Sequence, residues 1–135
     1  MKRAIDRLDD FQRAIAKAHL ASAGVSIDSL ESKPLIAIAN SWNEICPGHE
    51  PLRKLAEEVK KGVLEAGGEP IEFNTIAMCD GIAQGHPGMR YCLPHRELVA
   101  DSVEAMVVGE KFSNLEGIEA VGFIDDDVRK QGKEM

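Results

Sequence analysis

Hydrophobic positions recur at helical spacing near the start of the chain and then merge into a short apolar run. The helical pattern is formed by Ile5, Leu8, Phe11, Ile15 and Leu20. Gly24 follows as a stop signal, so the pattern predicts an amphipathic opening helix. After a polar stretch, Pro34 introduces the uninterrupted apolar run 35–39. Such a run is typical of a strand buried on both faces.

A second helix and a second strand follow the polar loop 40–50. Pro51 suits the first turn of a helix, and an apolar stripe marks one helix face: Leu52, Leu55, Val59 and Val63. Gly67 ends that stripe. Ile71 and Phe73 indicate the next strand, with Ile76 as a further candidate position. A strand, a helix and a strand of this combined length predict a right-handed crossover between parallel strands.

The remaining pattern completes an α/β reading of the chain. A long loop rich in Gly and Pro, 77–94, precedes a helix marked by Leu98, Val99, Val103, Met106 and Val107. A short apolar run, 120–124, predicts a third strand before the acidic triplet 125–127. We expect a short parallel sheet with flanking helices, in which 1–33 form a helix and connector, 34–110 the α/β core and 111–135 a divergent tail.

Composition narrows the classes of partner. The 135 residues are 44% hydrophobic, which suits a single domain with one core. The 16 basic and 23 acidic residues give a net charge of −7, so we expect neither nucleic acid nor a membrane surface as a partner. The start lacks the apolar core of a signal peptide, and no apolar run approaches the roughly 20 residues that span a bilayer. A cytoplasmic location is therefore expected.

The loops that follow the two predicted strands hold the residues with the most distinctive chemistry. Ligands of open α/β sheets bind at the carboxyl ends of the strands. The first loop offers Asn40, Ser41 and His49 for substrate binding. In the second loop, Asp80 could ligate a hard cation such as Mg²⁺, and Arg90 could clamp a carboxylate. From the residues alone, the simpler interpretation of Asp80 is a turn residue before glycine, and that of Arg90 is a solvated charge.

The three cysteines leave a second metal hypothesis open. Cys46 and His49, like Cys92 and His95, have the C-x-x-H spacing of half a zinc site. Together these two pairs could form a Cys2His2 site, although the chain has no C-x-x-C motif. Cys79 is more simply interpreted as a small buried apolar residue.

Six segments form an ordered string of motifs along the chain: 38–45, 65–68, 72–76, 80–83, 88–91 and 96–104. Together they resemble the N-terminal portion of the dihydroxy-acid dehydratase and 6-phosphogluconate dehydratase family. The resemblance runs without a break from about Pro34 to Met106 and implies the fold of that N-terminal domain.

The resemblance implies dehydration of a 2,3-dihydroxy acid or a sugar acid to a 2-keto acid, with a metal or cluster iron assisting loss of the hydroxyl. It implies that Asp80 is a magnesium ligand and that the substrate is a small anionic hydroxy acid. In many family members a cysteine that binds an iron-sulfur cluster stands where this chain has Gly48. Cys46 and Cys79 are the candidates for supplying a thiolate instead, although neither position carries that role in the family.

The end of the chain departs further from the family. The family continues from the last helix to a strand and a Cys-Asp-Lys motif, whereas here 125–127 are all aspartate. The remaining metal ligands and the catalytic base of the family lie in segments outside these 135 residues. We therefore expect a domain that is inactive without a complementing dehydratase chain. The alternative is a non-catalytic metal-binding or protein-interaction module. An apolar patch left uncovered would favour a homodimer.

Overall fold

The computed structural model describes residues 9–109 as an α/β fold with a short parallel sheet and flanking helices, as predicted. The elements, in chain order, are α1 (Asp10–Ser22), α2 (Ile27–Ser32), β1 (Leu35–Asn40), α3 (Leu52–Glu65), β2 (Glu69–Asn74), α4 (Asp80–Ala83), a 3-10 turn (Pro87–Tyr91) and α5 (His95–Gly109). The predicted helix positions Ile5 and Leu8, the strand 120–124 and the triplet 125–127 lie outside the described residues.

Local signals account for both ends of α1. The Asp9 carboxylate accepts a hydrogen bond from the backbone N–H of Gln12 at 2.7 Å, which caps the first turn. Gly24 has a φ of 98°, and the N–H of Val25 donates to the carbonyl of Leu20. This closing pattern is a Schellman motif, and it confirms Gly24 as the predicted stop.

The polar connector that follows α1 is itself helical, which its sequence pattern did not predict. It forms α2, where Leu30 is 1% exposed. Lys17 of α1 forms an ion pair with Glu31 of α2 at 2.7 Å. Six residues are too few for an apolar period to emerge, so packing against α1 decides this helix rather than local propensity.

The predicted crossover unit is confirmed. β1 and β2 pair in parallel, and their last residues, Asn40 and Asn74, face each other across the ladder. α3 connects the two strands and ends in a second Schellman motif, in which Gly67 has a φ of 85°. Gly68 then passes close to the sheet, since a Cβ at this position would lie 3.0 Å from side-chain atoms of Ile36 and Val63.

The expectation that the run 35–39 is buried on both faces was wrong. These residues form β1, but only Asn40 of this strand is fully buried, and Ile36 remains 38% exposed. Within the described region the sheet has two strands, so both strands are edges and their side chains keep partial contact with solvent. Ile76 lies beyond β2 and is 55% exposed, so it is not part of the second strand.

The loop predicted over 77–94 contains structure of its own. It includes the single-turn helix α4 and the 3-10 turn, before α5 begins at His95. The predicted last helix is thereby confirmed with its start at the end of that segment. Among the helices of residues 9–109, none combines the length and apolar character needed to cross a membrane.

Candidate functional site

The loops that follow β1 and β2, called the motif loops below, start from the same edge of the sheet. The carbonyl oxygen of Asn40, the last residue of β1, accepts a hydrogen bond from the N–H of Thr75 at 2.8 Å. It also accepts one from the Asn74 side-chain amide at 3.2 Å. The end of β1 is thus joined directly to the end of β2 and to the residue that follows it, as expected for the carboxyl ends of paired parallel strands.

The side chain of Asn40 is 5% exposed, and it fixes the path of the first loop. Its Oδ1 accepts a hydrogen bond from the N–H of Trp42 at 2.9 Å. Its Nδ2 donates to Glu72 Oε1 at 2.7 Å and approaches the carbonyl of Leu52 at 3.5 Å. Because these partners use both polar ends of the amide, the geometry makes Asn40 a support for the loop; its substrate-binding role stays a prediction.

Glu72 and Lys60 are residues of the site that sequence reasoning missed. Lys60 Nζ of α3 lies 2.5 Å from Glu72 Oε2, and both side chains are about three-quarters buried. Burial by itself would raise the pKa of Glu72, but hydrogen bonds from Lys60 and Asn40 and the charges of Lys60 and Arg53 lower it. The pKa of Lys60 is raised by its hydrogen bonds to Glu57 and Glu72.

A signal for this pair was present in the sequence. Glu72 interrupts the apolar residues Ile71 and Phe73 of the predicted strand, while Lys60 borders the apolar stripe of the predicted helix. A carboxylate inside a strand and a cation beside a buried helix face each require a partner. Their opposite charges make each the natural partner of the other.

The first loop is held together by its own side chains. Asn43 Oδ1 accepts hydrogen bonds from the N–H groups of Ile45 at 3.0 Å and Cys46 at 2.9 Å. The carbonyl oxygen of Ser41 accepts from Asn43 Nδ2 at 3.3 Å and from His49 Nδ1 at 2.8 Å. Ser41 and His49, both predicted substrate-binding residues, are therefore brought together across the loop.

Trp42 connects this loop to the start of α3. The guanidinium of Arg53 stacks over the indole ring, 3.5 Å from its centroid. A cation over an aromatic face is attracted by the ring's quadrupole. The contact adds a second anchor between the loop and the helix that joins the two strands.

Asp80 and Arg90 lie on the second loop and are both exposed. Asp80 is the first residue of α4, directly after Cys79. Arg90 donates a hydrogen bond from Nη2 to the Tyr91 hydroxyl at 3.1 Å, and its guanidinium lies 4.9 Å from the Tyr91 ring centroid. Within the described residues no hydrogen bond joins either side chain to the first loop. Their metal and substrate roles stay predictions.

The two C-x-x-H pairs do not converge into a zinc site. No three His, Cys, Asp or Glu side chains of residues 9–109 come close enough together to hold a metal ion. Each of the two histidines instead uses Nδ1 for a carbonyl, His49 for Ser41 and His95 for Cys92. The Cys2His2 hypothesis was wrong, because the four side chains form no common metal site and each histidine is hydrogen-bonded within its own loop.

The same test applies to Mg²⁺ and to an iron-sulfur cluster. Asp80 offers one carboxylate, and among the described residues it belongs to no group of three or more His, Cys, Asp or Glu side chains that could hold a metal ion. Cys46 and Cys79 are free and half-buried, so Cys79 is less buried than expected. Mg²⁺ is commonly held by one or two carboxylates together with waters and substrate oxygens, so Asp80 fits the role of one ligand, whereas a cluster needs several thiolates and residues 9–109 bring no such group together.

Comparisons of the sequence with a family model and with individual known proteins agree on one protein family. Residues 33–118 match the family model described as dihydroxy-acid/6-phosphogluconate dehydratase N-terminal. The chain is 57% identical over 103 residues to the dihydroxy-acid dehydratase of Ignicoccus hospitalis, which is 75% of this chain and 19% of that protein. It is 52% identical over 104 residues to dihydroxy-acid dehydratase 1 of Methanosarcina acetivorans, covering 77% of this chain and 19% of the relative.

A third relative extends the match. The dihydroxy-acid dehydratase of Archaeoglobus fulgidus is 50% identical over 115 residues, which cover 85% of this chain and 20% of the relative. The chain thus spans about a fifth of the length of the curated relatives it matches.

Proposed function

The chain belongs to the dihydroxy-acid/6-phosphogluconate dehydratase family through the N-terminal domain of that family, and we propose that it contributes part of a hydro-lyase site. The substrate is a small anionic hydroxy acid of the 2,3-dihydroxy or sugar-acid type. The product is the corresponding 2-keto acid. The relatives that it matches are named as dihydroxy-acid dehydratases.

The observation that carries this proposal is the hydrogen-bonded junction of the two loops. Thr75 and Asn74 both donate to the carbonyl of Asn40, so the residues matching the family's motifs emerge from one sheet edge. In open α/β folds this edge is where ligands bind. The parallel pairing of β1 and β2 places both loops at this edge, and the support for a binding role comes from the polar motif residues that these loops carry there.

In this proposal, some of the described residues hold the loops in place and others contact the substrate. Asn40 and Glu72 fix the sheet end, and they leave Ser41 and His49 on the first loop to meet the substrate. Arg90 has the planar, bidentate donor geometry that suits a substrate carboxylate. Asp80 contributes one ligand to a magnesium site whose other ligands lie outside residues 9–109.

Dehydration requires loss of a hydroxyl from one carbon and of a proton from the carbon that carries the carboxylate. The described residues provide binding and orientation for this reaction, but they bring together no group of three His, Cys, Asp or Glu side chains that could hold a metal ion. We expect the 135-residue chain by itself to be inactive, because the resemblance assigns further metal ligands and the catalytic base to family segments that it does not match. A complementing dehydratase chain that supplies the other ligands and the base is the proposed partner.

Co-expression tests the proposal. The chain would be produced with the segment of the Ignicoccus hospitalis dehydratase that lies beyond the matched region, and keto-acid formation from a 2,3-dihydroxy acid would be measured. We expect turnover by the pair and none by either part. Asp80→Asn in the pair should abolish turnover, whereas Asp101→Asn, an exposed position on α5, should preserve it.

Two results would contradict the proposal. One is keto-acid formation by the purified 135-residue chain above a metal-only control. The other is a stable pair of chains that forms no product, which would favour the non-catalytic interaction module.

A further inference from the structure

The backbone of the first loop determines which nitrogen of His49 carries the proton. His49 Nδ1 lies 2.8 Å from the carbonyl oxygen of Ser41. A carbonyl oxygen only accepts hydrogen bonds, so Nδ1 must be the donor. The neutral imidazole is therefore the Nδ1–H tautomer, and its lone pair is on Nε2.

Three further hydrogen bonds hold this arrangement in place. Asn43 Nδ2 donates to the same Ser41 carbonyl at 3.3 Å, and Asn43 Oδ1 is anchored by the N–H of Cys46. The N–H of His49 donates to the Cys46 carbonyl at 2.9 Å. The acceptor and the ring are thus both fixed by the loop.

Nε2 is the end of the ring that the loop leaves open. Among the described residues it has no hydrogen-bond partner, and the side chain is half-buried. A fixed ring with one nitrogen bound to a carbonyl and the other unpartnered is the arrangement by which proteins present an imidazole lone pair.

We propose that His49 presents an unprotonated Nε2 as a hydrogen-bond acceptor for a hydroxyl group of the substrate, with Asn43 as its positioning residue. The inference rests on the proposed function, because a 2,3-dihydroxy acid offers both hydroxyls and a carboxylate. An ionised carboxylate cannot donate a hydrogen bond, so neutral His49 selects a hydroxyl. The carboxylate is left to a cation such as Arg90.

The tautomer can be measured in the 135-residue chain without any activity. Nitrogen NMR would be recorded at about pH 8, above the ordinary histidine pKa of about 6.5. The spectrum of His49→Asn would identify the His49 signals among the four histidines. We expect a protonated Nδ1 and an unprotonated Nε2. In Asn43→Ala the preference should weaken towards a mixture. A dominant Nε2–H tautomer in the native chain would overturn the inference.

Two substitutions separate the two ends of the ring in the complemented pair. His49→Asn places an amide donor near the position of Nδ1, so it keeps the bond to Ser41 and loses Nε2. His49→Gln places an amide oxygen near the position of Nε2, where it can still accept from a hydroxyl. We expect wild-type thermal stability for His49→Asn but a loss of about 5- to 10-fold in kcat/KM, the size of one hydrogen bond. His49→Gln should recover part of that loss.

Wild-type kcat/KM in His49→Asn, or no recovery in His49→Gln, would refute the role of Nε2. Absence of turnover in the unmodified pair would count against the proposed function instead. In that case the NMR measurement still decides the tautomer on which this inference depends, and a dominant Nε2–H form would still overturn it.

Discussion

The carboxylate of Glu72 accepts a hydrogen bond from the side-chain amide of Asn40 at 2.7 Å, although the two residues are 32 positions apart. Asn40 ends β1, and Glu72 lies near the end of β2. Lys60 of α3 neutralises the same carboxylate. One carboxylate therefore connects all three elements of the crossover beneath the two motif loops.

Removal of the Glu72 charge should destabilise the fold. In Glu72→Gln the ion pair with Lys60 is lost while the side-chain volume is retained, and we expect a cost of about 1–3 kcal/mol in the free energy of unfolding. Urea denaturation would measure it. Glu57→Gln is the matched control, because Glu57 contacts the same lysine from a position that is 59% exposed. Its expected cost is about 0–1 kcal/mol, and equal costs in the two variants would contradict the assigned role.

The stabilising contribution of the Glu72–Lys60 ion pair should also depend on pH. The folded pKa of Glu72 is lowered, so its contribution is present above the unfolded value of about 4.3 and disappears as pH falls through the folded pKa. The difference in unfolding free energy between wild type and Glu72→Gln should therefore shrink in acid. The raised pKa of Lys60 predicts a second decrease well into alkali, as the lysine loses its proton. Urea titrations across pH test both decreases; a constant difference would argue against the ion pair.

Alanine substitutions at two glycines, one crowded by neighbouring side chains and one in open space, test how closely the backbone packs against the sheet. Gly68→Ala would place a Cβ 3.0 Å from atoms of Ile36 and Val63, and we expect a destabilisation of about 1–3 kcal/mol. Gly62 lies within α3 with no atom within 4 Å of an added Cβ. Gly62→Ala should stabilise the chain by up to about 1 kcal/mol, because alanine favours helix. Thermal melts of both variants would measure these changes. If Gly68→Ala were more stable than Gly62→Ala, the close approach of the Gly68 backbone to Ile36 and Val63 would not require glycine.

Iron-sulfur reconstitution of the 135-residue chain should not yield a stable stoichiometric cluster. The chain has three cysteines, and no group of potential ligands is assembled within residues 9–109. Clusters need several thiolates converging on one site. Iron and sulfide would be measured after anaerobic reconstitution and gel filtration. Stoichiometric retention of both, lost in Cys46→Ser or Cys79→Ser, would overturn this expectation.

Sequence reasoning worked best where a local signal is sufficient. The apolar stripe of α3 and the stops at Gly24 and Gly67 were predicted, because helical periodicity and a positive φ depend on residues close in the chain. It failed for α2, which is too short to show a period. It also overestimated the burial of 35–39, since an apolar run does not reveal how many strands will flank it.

In the candidate site, too, some features follow from the sequence and others from the tertiary structure. The sequence by itself determined the order of elements, the parallel pairing of β1 with β2 and hence the shared edge of the two loops, because handed crossovers leave little choice of topology. Only the tertiary structure decided that Glu72 contacts Asn40 and Lys60, that the two C-x-x-H pairs form no common metal site and that His49 Nδ1 lies 2.8 Å from the Ser41 carbonyl. Hydrogen bonds and metal coordination depend on distances of a few ångströms between atoms, and residue spacing along a chain does not determine those distances.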